Sequence, residues 1–213
     1  MRPHLILWCD LETTGIDPAA DFSGILEASF QLCYPSGKPI LEATTPIHWP
    51  TSFPVTHIWD NHFKTGLMKE CQDDECTRRS DFDAQFATVL EEQRNKHDAI
   101  IILAGSSIHF DRRWIQHHFP FIEEELHYRM IDVRSLILFL QFQSIDFRLR
   151  DGQDKSNIHR AKADREWAKS AYFEIEKMWS DMWQRAINRV KSEGVESIAL
   201  QRECGLDPVD PEK

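Results

Sequence analysis

The segment that most constrains the fold is AIIILA at 99–104, in which every side chain is apolar. A strand with one face in water would alternate apolar and polar residues, and an amphipathic helix would show polar residues at helical spacing. An unbroken run of this length, ended by Gly105-Ser106-Ser107, instead predicts a strand buried on both faces. Such strands lie in sheets that helices cover on both sides, so we predict an α/β fold.

Weaker patterns along the chain predict the elements that surround this strand. Turn residues and capping signals bound each of them. The predicted strands are 4–9, 25–34 and one near 40–48; the predicted helices are 81–97 with Asp81 as its cap, 109–118, 133–142 and one or two helices over 159–190; residues 146–157 are predicted as a charged loop. A chain of 213 residues with 41% apolar content fits one domain, here 1–190, followed by a partly flexible tail, 191–213.

The formal net charge of −10 limits how the chain can bind nucleic acid. A protein that tracks along many phosphates needs a basic surface that displaces condensed counterions. One or two phosphates need only a local basic pocket and bound metal. The charge therefore favours a short nucleic acid ligand over a long one.

Cysteine usage and hydropathy predict a cytoplasmic protein with no membrane contact. The five cysteines are an odd number without a disulfide framework, which favours reduced thiols. The chain has no run of about 18 apolar residues, so no membrane span is predicted, and the N-terminal sequence does not predict a signal peptide. A zinc site formed by Cys71 and Cys76 with His57 and His62 is disfavoured, because no second compact ligand pair follows.

Four acidic residues occur where elements begin or end. Asp10 and Glu12 follow the first strand two residues apart, so both project from one face if that strand continues; a solvated turn is the alternative. Asp111 follows the buried strand, in the first turn of the next helix. Asp164 is expected one and a half turns into a helix that begins near His159.

This set of residues has the chemistry of a phosphodiester hydrolase. Such enzymes hold two divalent cations about 3.5–4 Å apart, and carboxylate oxygens are the ligands that Mg²⁺ or Mn²⁺ prefers. A histidine with a pKa near neutrality can remove the proton from the attacking water. We predict Asp10, Glu12, Asp111 and Asp164 as metal ligands and His159 as the general base.

Three segments resemble the motifs of the DEDD exonucleases in order and spacing. They are LWCDLETTG at 7–15, GSSIHFDRRWI at 105–115, and HRAKAD at 159–164, which has the histidine-containing form H-x-A-x-x-D. Further residues resemble the oligoribonuclease family within that superfamily. These are Trp8, the Ser-Ile-x-x-Asp-Arg-Arg pattern at 107–113, and His127-Tyr128-Arg129 followed by Asp132-Val133.

The resemblance covers about residues 5–175 and implies a fold and an activity. The implied fold is a ribonuclease H-like mixed five-stranded sheet flanked by helices, with a C-terminal helical extension. The implied activity is 3′→5′ release of nucleoside 5′-monophosphates from short oligoribonucleotides, with two Mg²⁺ or Mn²⁺ ions as cofactors. A homodimer is the implied assembly.

The resemblance also implies a set of substrate contacts. In oligoribonucleases a serine, a tyrosine from the partner subunit and an arginine cap the 5′-phosphate, and these match Ser107, Tyr128 and Arg129. Arg134-Ser135 stands where the family has Ser-Thr, which places a guanidinium at a hydroxyl position. Trp59 matches the tryptophan that wedges against a base, with a shorter spacing to the segment after it, and Ile16 stands where a leucine packs on a base.

Two other functions remain open at this point. The same site could act on longer single-stranded RNA or DNA ends, as in ribonuclease T or proofreading exonucleases. A non-catalytic nucleotide-binding protein of this fold is the other alternative, although it has no need of the metal ligand set.

Several further residues are interpreted outside the predicted site or with two possible roles: Trp114, Trp167, Trp179 and Trp183 as core or interface; His109, His117 and His118 as surface or packing; Arg112 and Arg113 as phosphate contacts or structural support; Asp132 as support for Arg129 or the site.

Overall fold

The computed structural model describes residues 2–49, 62–145, 147 and 160–192. The chain divides into two compact units, Met1–Tyr172 and Phe173–Lys213. His159 and Trp59 lie outside the described residues, as do most of the predicted loop 146–157 and residues 193–213 of the predicted tail.

Five strands form one mixed sheet in the order β3-β2-β1-β4-β5. The three N-terminal strands form an antiparallel meander, whereas β4 and β5 run parallel to β1. The strands are β1 (His4–Thr13), β2 (Ile25–Cys33), β3 (Pro39–Pro46), β4 (Ile100–Gly105) and β5 (Leu126–Asp132). The prediction of a mixed five-stranded α/β sheet is confirmed.

Six helices are described, and the long C-terminal helix is a single one. They are α1 (Leu67–Cys71), α2 (Arg79–Lys96), α3 (His109–His118), α4 (Pro120–Glu125), α5 (Val133–Phe142) and α6 (Ala161–Ser192). The predicted cap at Asp81 is wrong, because α2 begins two residues earlier at Arg79 and has no side-chain cap. Asp81 lies instead in the first turn, where a carboxylate still interacts favourably with the helix dipole. None of the helices in the described part of the chain is both long and apolar enough to span a membrane.

Alternation along β1 gives the sheet two different faces. Leu5, Leu7, Cys9 and Leu11 point into the main core, where Phe30 of β2 stacks on Phe86 of α2 with ring centroids 5.0 Å apart. The even-numbered residues of β1 point to the other face. There Trp8 lies 5.4 Å from Tyr172 of α6, measured between ring centroids. Asp10 and Glu12 are even-numbered, so they belong to the face on which the N-terminal part of α6 packs.

Candidate active site

β1 continues through its two acidic residues and ends at Thr13. Asp10 pairs with Ser29 of β2, and Glu12 pairs with Glu27. The pairing register shifts between Glu12 and Thr13, so regular alternation ends directly after the second acid. Both carboxylates therefore leave the strand on the same face, as expected for a strand rather than a solvated turn.

The first turn of α6 brings a third carboxylate to this face. Ligand oxygens of Asp10, Glu12 and Asp164 all lie within 4.8 Å of one another. The expected position of Asp164, one and a half turns into its helix, is wrong because α6 begins at Ala161 and Asp164 is in its first turn. The helix begins there because Glu27 accepts the Ala161 N–H at 2.8 Å and the Arg160 carbonyl accepts the Asp164 N–H.

Asp111 is buried beside these three residues and makes a different contact. Its Oδ1 accepts the backbone N–H of Leu11 at 3.0 Å, so one carboxylate oxygen is bonded to the strand between Asp10 and Glu12. β4 approaches β1 closely at this point: a Cβ on Gly105 would lie 2.5 Å from the Cys9 carbonyl oxygen. Among the described residues, Asp111 is not part of the group within 4.8 Å. The structure thus brings together three of the four predicted acids and places the fourth next to them.

Burial and mutual repulsion make these carboxyls hard to ionise. Burial is the main cause that raises the pKa of Glu12 to about 8, and the negative charge of Asp164 adds to it. Burial likewise raises the pKa of Asp111 to about 8. The pKa of Asp10 is raised by burial and then by the charge of Asp111. The surrounding protein therefore does not supply enough positive charge to keep these carboxyls ionised.

A divalent cation fits both the geometry and this charge deficit. Three hard oxygen ligands converge within one coordination sphere, which suits Mg²⁺ or Mn²⁺. A bound cation would also reverse the electrostatics, because it favours the ionised carboxylates that burial disfavours. Asp10, Glu12 and Asp164 are the residues that could hold it, with Asp111 adjacent.

One residue near this cluster was not predicted as part of the site. His62 is buried, with Nδ1 3.7 Å from Glu12 Oε2 and Nε2 3.1 Å from the Thr13 carbonyl oxygen. Two sequence signals pointed to it: the disfavoured zinc hypothesis, and its place as the first residue of the segment that follows Trp59 in the family resemblance. Cys71 and Cys76 point elsewhere, since their thiols contact the carbonyl oxygens of Leu26 and Pro46.

A strained loop after β4 carries the serine that the resemblance places at the 5′-phosphate. Ser107 has φ +54°, a left-handed conformation that is uncommon outside glycine. The Asp132 carboxylate stabilises the loop by accepting the Ser107 N–H at 3.0 Å. It also accepts the N–H of Arg134 at 3.0 Å and the hydroxyl of Ser135 at 3.2 Å. Asp132 thus supports the loop and the start of α5 together; the contacts described for its carboxylate are with these residues and His109, not with Arg129.

The other predicted substrate residues that the structure describes lie on exposed surface. Tyr128 on β5 is 69% exposed, and the Arg129 guanidinium lies 5.4 Å from its ring centroid. Ile16 is also exposed. Arg134 donates to the Ser106 hydroxyl at 3.1 Å, and its guanidinium stacks 4.5 Å from the ring centroid of Trp167 on α6.

Arg112 and His109 each have one of the roles that the sequence left open for them. Arg112 is buried and donates to Glu123 and to the carbonyl oxygens of His127 and Tyr128, so it is structural support rather than a phosphate contact. His109 is a surface residue, and its Nδ1 lies 3.6 Å from Asp132 Oδ2.

Solved structures of exonucleases share the fold of this chain. Exonuclease I of E. coli, in a zinc-bound complex with single-stranded DNA, matches with a TM-score of 0.59 at 15% identity, covering 88% of this chain and 43% of that one. Exonuclease I of Methylocaldum szegediense matches with a TM-score of 0.52 at 16% identity, covering 78% of this chain and 38% of that one. The chain spans less than half the length of these proteins. It has the ribonuclease H-like fold of the exonucleases, with a long C-terminal helix.

Sequence relatives give the family. No family model matches the chain. The oligoribonuclease of Pseudomonas aeruginosa is 30% identical over 139 residues, covering 63% of this chain and 74% of the relative. The oligoribonuclease of Thiobacillus denitrificans is 28% identical over 172 residues, covering 77% and 88% respectively. The chain belongs to the oligoribonuclease family and is homologous to exonucleases, which hydrolyse phosphodiester bonds.

Proposed function

We propose that this protein is a 3′→5′ exoribonuclease that degrades short oligoribonucleotides to nucleoside 5′-monophosphates. The observation that carries the proposal is the group of carboxylates of Asp10, Glu12 and Asp164 within 4.8 Å, in a chain of the oligoribonuclease family. A partly buried acidic group of this kind is poorly suited to binding RNA by itself and well suited to binding it through cations.

The proposed roles of the residues follow from their chemistry. Asp10, Glu12 and Asp164, together with Asp111, would hold two Mg²⁺ or Mn²⁺ ions, and the bound ions would supply positive charge to a phosphodiester transition state. Asp111 also fixes the strand between the first two acids through the Leu11 N–H. His159 is proposed to take the proton from the attacking water, which requires a histidine that is neutral at the working pH.

The loop and edge-strand residues are proposed to limit the substrate to a short length. Ser107, Arg129, Arg134 and Ser135 offer hydroxyl and guanidinium donors to a terminal phosphate, and a guanidinium can bind a phosphate with two hydrogen bonds. Tyr128, Trp59 and Ile16 are the proposed apolar contacts. The high exposure of Tyr128 agrees with a contribution from one subunit to the site of the other in a homodimer. A cytoplasmic location completes the proposal.

The length preference is tested with 5′-phosphorylated, labelled RNAs of two, four and twenty nucleotides. The net charge of −10 disfavours extended binding along a phosphate backbone, so we expect kcat/KM to fall at least about tenfold from the dinucleotide to the longest RNA. Products are resolved on a denaturing gel as a function of time. Single-stranded DNA of the same lengths serves as the comparison substrate.

Two outcomes contradict this proposal in different ways. Equal rates on all three RNAs would exclude the preference for short substrates and favour activity on longer single-stranded ends. Faster hydrolysis of DNA than of RNA would transfer the activity to the substrate class named in the exonuclease I complexes.

Removal of divalent cations provides a separate prediction. We expect excess EDTA to abolish hydrolysis and added Mn²⁺ or Mg²⁺ to restore it, because the buried carboxylates then lack their counter-charge. EDTA saturated beforehand with Mg²⁺ is the matched control and should leave the rate unchanged. Full activity in excess free EDTA is incompatible with a cation-dependent site.

A further inference from the structure

Arg160 directly precedes α6 in the chain, and its guanidinium binds carboxylates of β2 and α1. Its Nε and Nη2 donate to both oxygens of Glu27 at 2.8–3.2 Å. The same guanidinium reaches Glu70 of α1, with Nη1 at 3.1 Å and Nη2 at 2.9 Å. The two carboxylates differ in environment: the Glu27 side chain is 2% exposed, whereas that of Glu70 is 43% exposed.

Glu27 makes one further contact, which connects it to the helix itself. Its Oε2 accepts the Ala161 N–H at 2.8 Å. The first backbone N–H groups of a helix have no partner within the helix, so a carboxylate placed there both satisfies a donor and interacts favourably with the helix dipole. Here that carboxylate comes from a strand 134 residues earlier, and it binds the side chain of the residue before the helix as well.

The burial of the Glu27 carboxylate costs free energy unless nearby groups compensate its charge. Glu27 lies directly across the strand pair from Glu12, and its charge is one of the causes that raise the pKa of Glu12. A buried carboxylate beside a cluster of like charges is destabilising unless a cation and hydrogen-bond donors compensate it. Arg160 and the Ala161 N–H provide that compensation.

We propose that Glu27 is a positioning residue: through Arg160 and the Ala161 N–H it fixes where α6 begins and thereby places Asp164 against Asp10 and Glu12. Asp164 follows Arg160 by four residues, and the Asp164 N–H donates to the Arg160 carbonyl at 3.2 Å. A shift of the first turn would therefore move the Asp164 carboxylate directly.

The proposal rests on the proposed function for its consequence in catalysis, but its test does not require RNA. In Glu27→Gln, the amide retains the size of the side chain and loses the charge that pairs with Arg160. In metal-free protein we expect amide hydrogen exchange at Ala161, Ala163 and Asp164 to become at least about tenfold faster, with Leu103 of β4 unchanged. Affinity for Mn²⁺, followed by the EPR signal of the free ion, should fall about 10- to 100-fold. On dinucleotide RNA, kcat should fall while KM changes less than about threefold.

Glu70→Gln is the matched control, since it removes the other carboxylate bound to the same guanidinium. We expect its exchange rates and Mn²⁺ affinity to stay within twofold of those of the natural protein, because Glu70 is well exposed and does not contact the helix N–H. Arg160→Lys keeps the charge but not the two-pronged contact and should give an intermediate loss. If circular dichroism shows that Glu27→Gln is unfolded, Arg160→Lys still tests the proposal.

Three results would overturn the proposal. The first is that Glu27→Gln has the amide exchange rates and Mn²⁺ affinity of the natural protein. The second is that Glu70→Gln loses as much Mn²⁺ affinity as Glu27→Gln. The third applies if Glu27→Gln does not fold, and is that Arg160→Lys has the exchange rates and Mn²⁺ affinity of the natural protein. A natural protein that binds Mn²⁺ but does not hydrolyse RNA would count against the proposed function alone.

Discussion

Asp164→Asn is expected to lower kcat on dinucleotide RNA by at least about 10³-fold, equivalent to ~4 kcal/mol of transition-state stabilisation. The amide has the size of the carboxylate, so the first turn of α6 should keep its shape. It removes one of three negative charges within 4.8 Å of one another and replaces a strong oxygen ligand by a weak one. Steady-state kinetics at saturating Mn²⁺ measure the loss, and circular dichroism verifies the fold.

Asp181→Asn is the matched control for this substitution. It makes the same chemical change in the same helix, at an exposed position. We expect its kcat to be unchanged and its thermal unfolding to be close to that of the natural protein, as for most exposed substitutions. If Asp164→Asn kept more than a tenth of the natural kcat, Asp164 would not be a metal ligand in the reaction.

Glu12→Gln is expected to stabilise the metal-free protein at alkaline pH while it abolishes activity. The Glu12 carboxyl has a pKa near 4.5 in the unfolded chain and about 8 in the folded protein. Between these values the folded state keeps a proton that the unfolded state has released, so stability falls as pH rises from about 4.5 to 8. Glutamine stays neutral and avoids this loss.

The stabilisation in Glu12→Gln should therefore grow with pH and level off above the folded pKa. Each pKa unit corresponds to ~1.4 kcal/mol, and we expect a gain on the order of 2–4 kcal/mol at pH 8.5 with almost none near pH 4.5. For a chain of this size that is about 5–15 °C in Tm. Thermal unfolding in EDTA across this pH range measures it. Parallel curves of Tm against pH for the two proteins would contradict the pKa assigned to Glu12, and Asp181→Asn again provides the control.

The parts of the fold that sequence predicts well are those with a strong periodic or apolar signal. The buried strand at 99–104 and the helices at 109–118 and 133–142 appear within one residue of the predicted limits. β5 and α4 were missed for physical reasons. β5 is an edge strand whose middle residues are exposed, so it has no apolar alternation, and α4 is too short at six residues to show helical periodicity.

The candidate site shows a similar division. The spacing of Asp10 and Glu12 on a strand was sufficient to place them on one face, because strand geometry is local. The bond from Leu11 to Asp111 depends on the approach of β4 to β1, which no local pattern encodes. Glu27 gave no such signal, because Glu27, Ser29 and Gln31 alternate with apolar residues as in a strand with one solvated face. Only the structure shows that all nine residues of β2 are buried, so that Glu27 needs a partner. Identifying Arg160 as that partner required the packing of α6.

The parallel pairing of β1 with β4 has a consequence for how the protein acquires its site during folding. His4 pairs with Ile100, so the strand that carries the first two acids can form its hairpin with β2 early, but it can pair with β4 only after about half of the chain has been synthesised. Asp164 arrives later still. Contacts this distant along the chain slow folding, and intermediates that lack them expose unpaired strand edges. We therefore expect nascent or truncated chains that end before α6 to be inactive and prone to aggregation, with divalent cations promoting only the last stage of assembly.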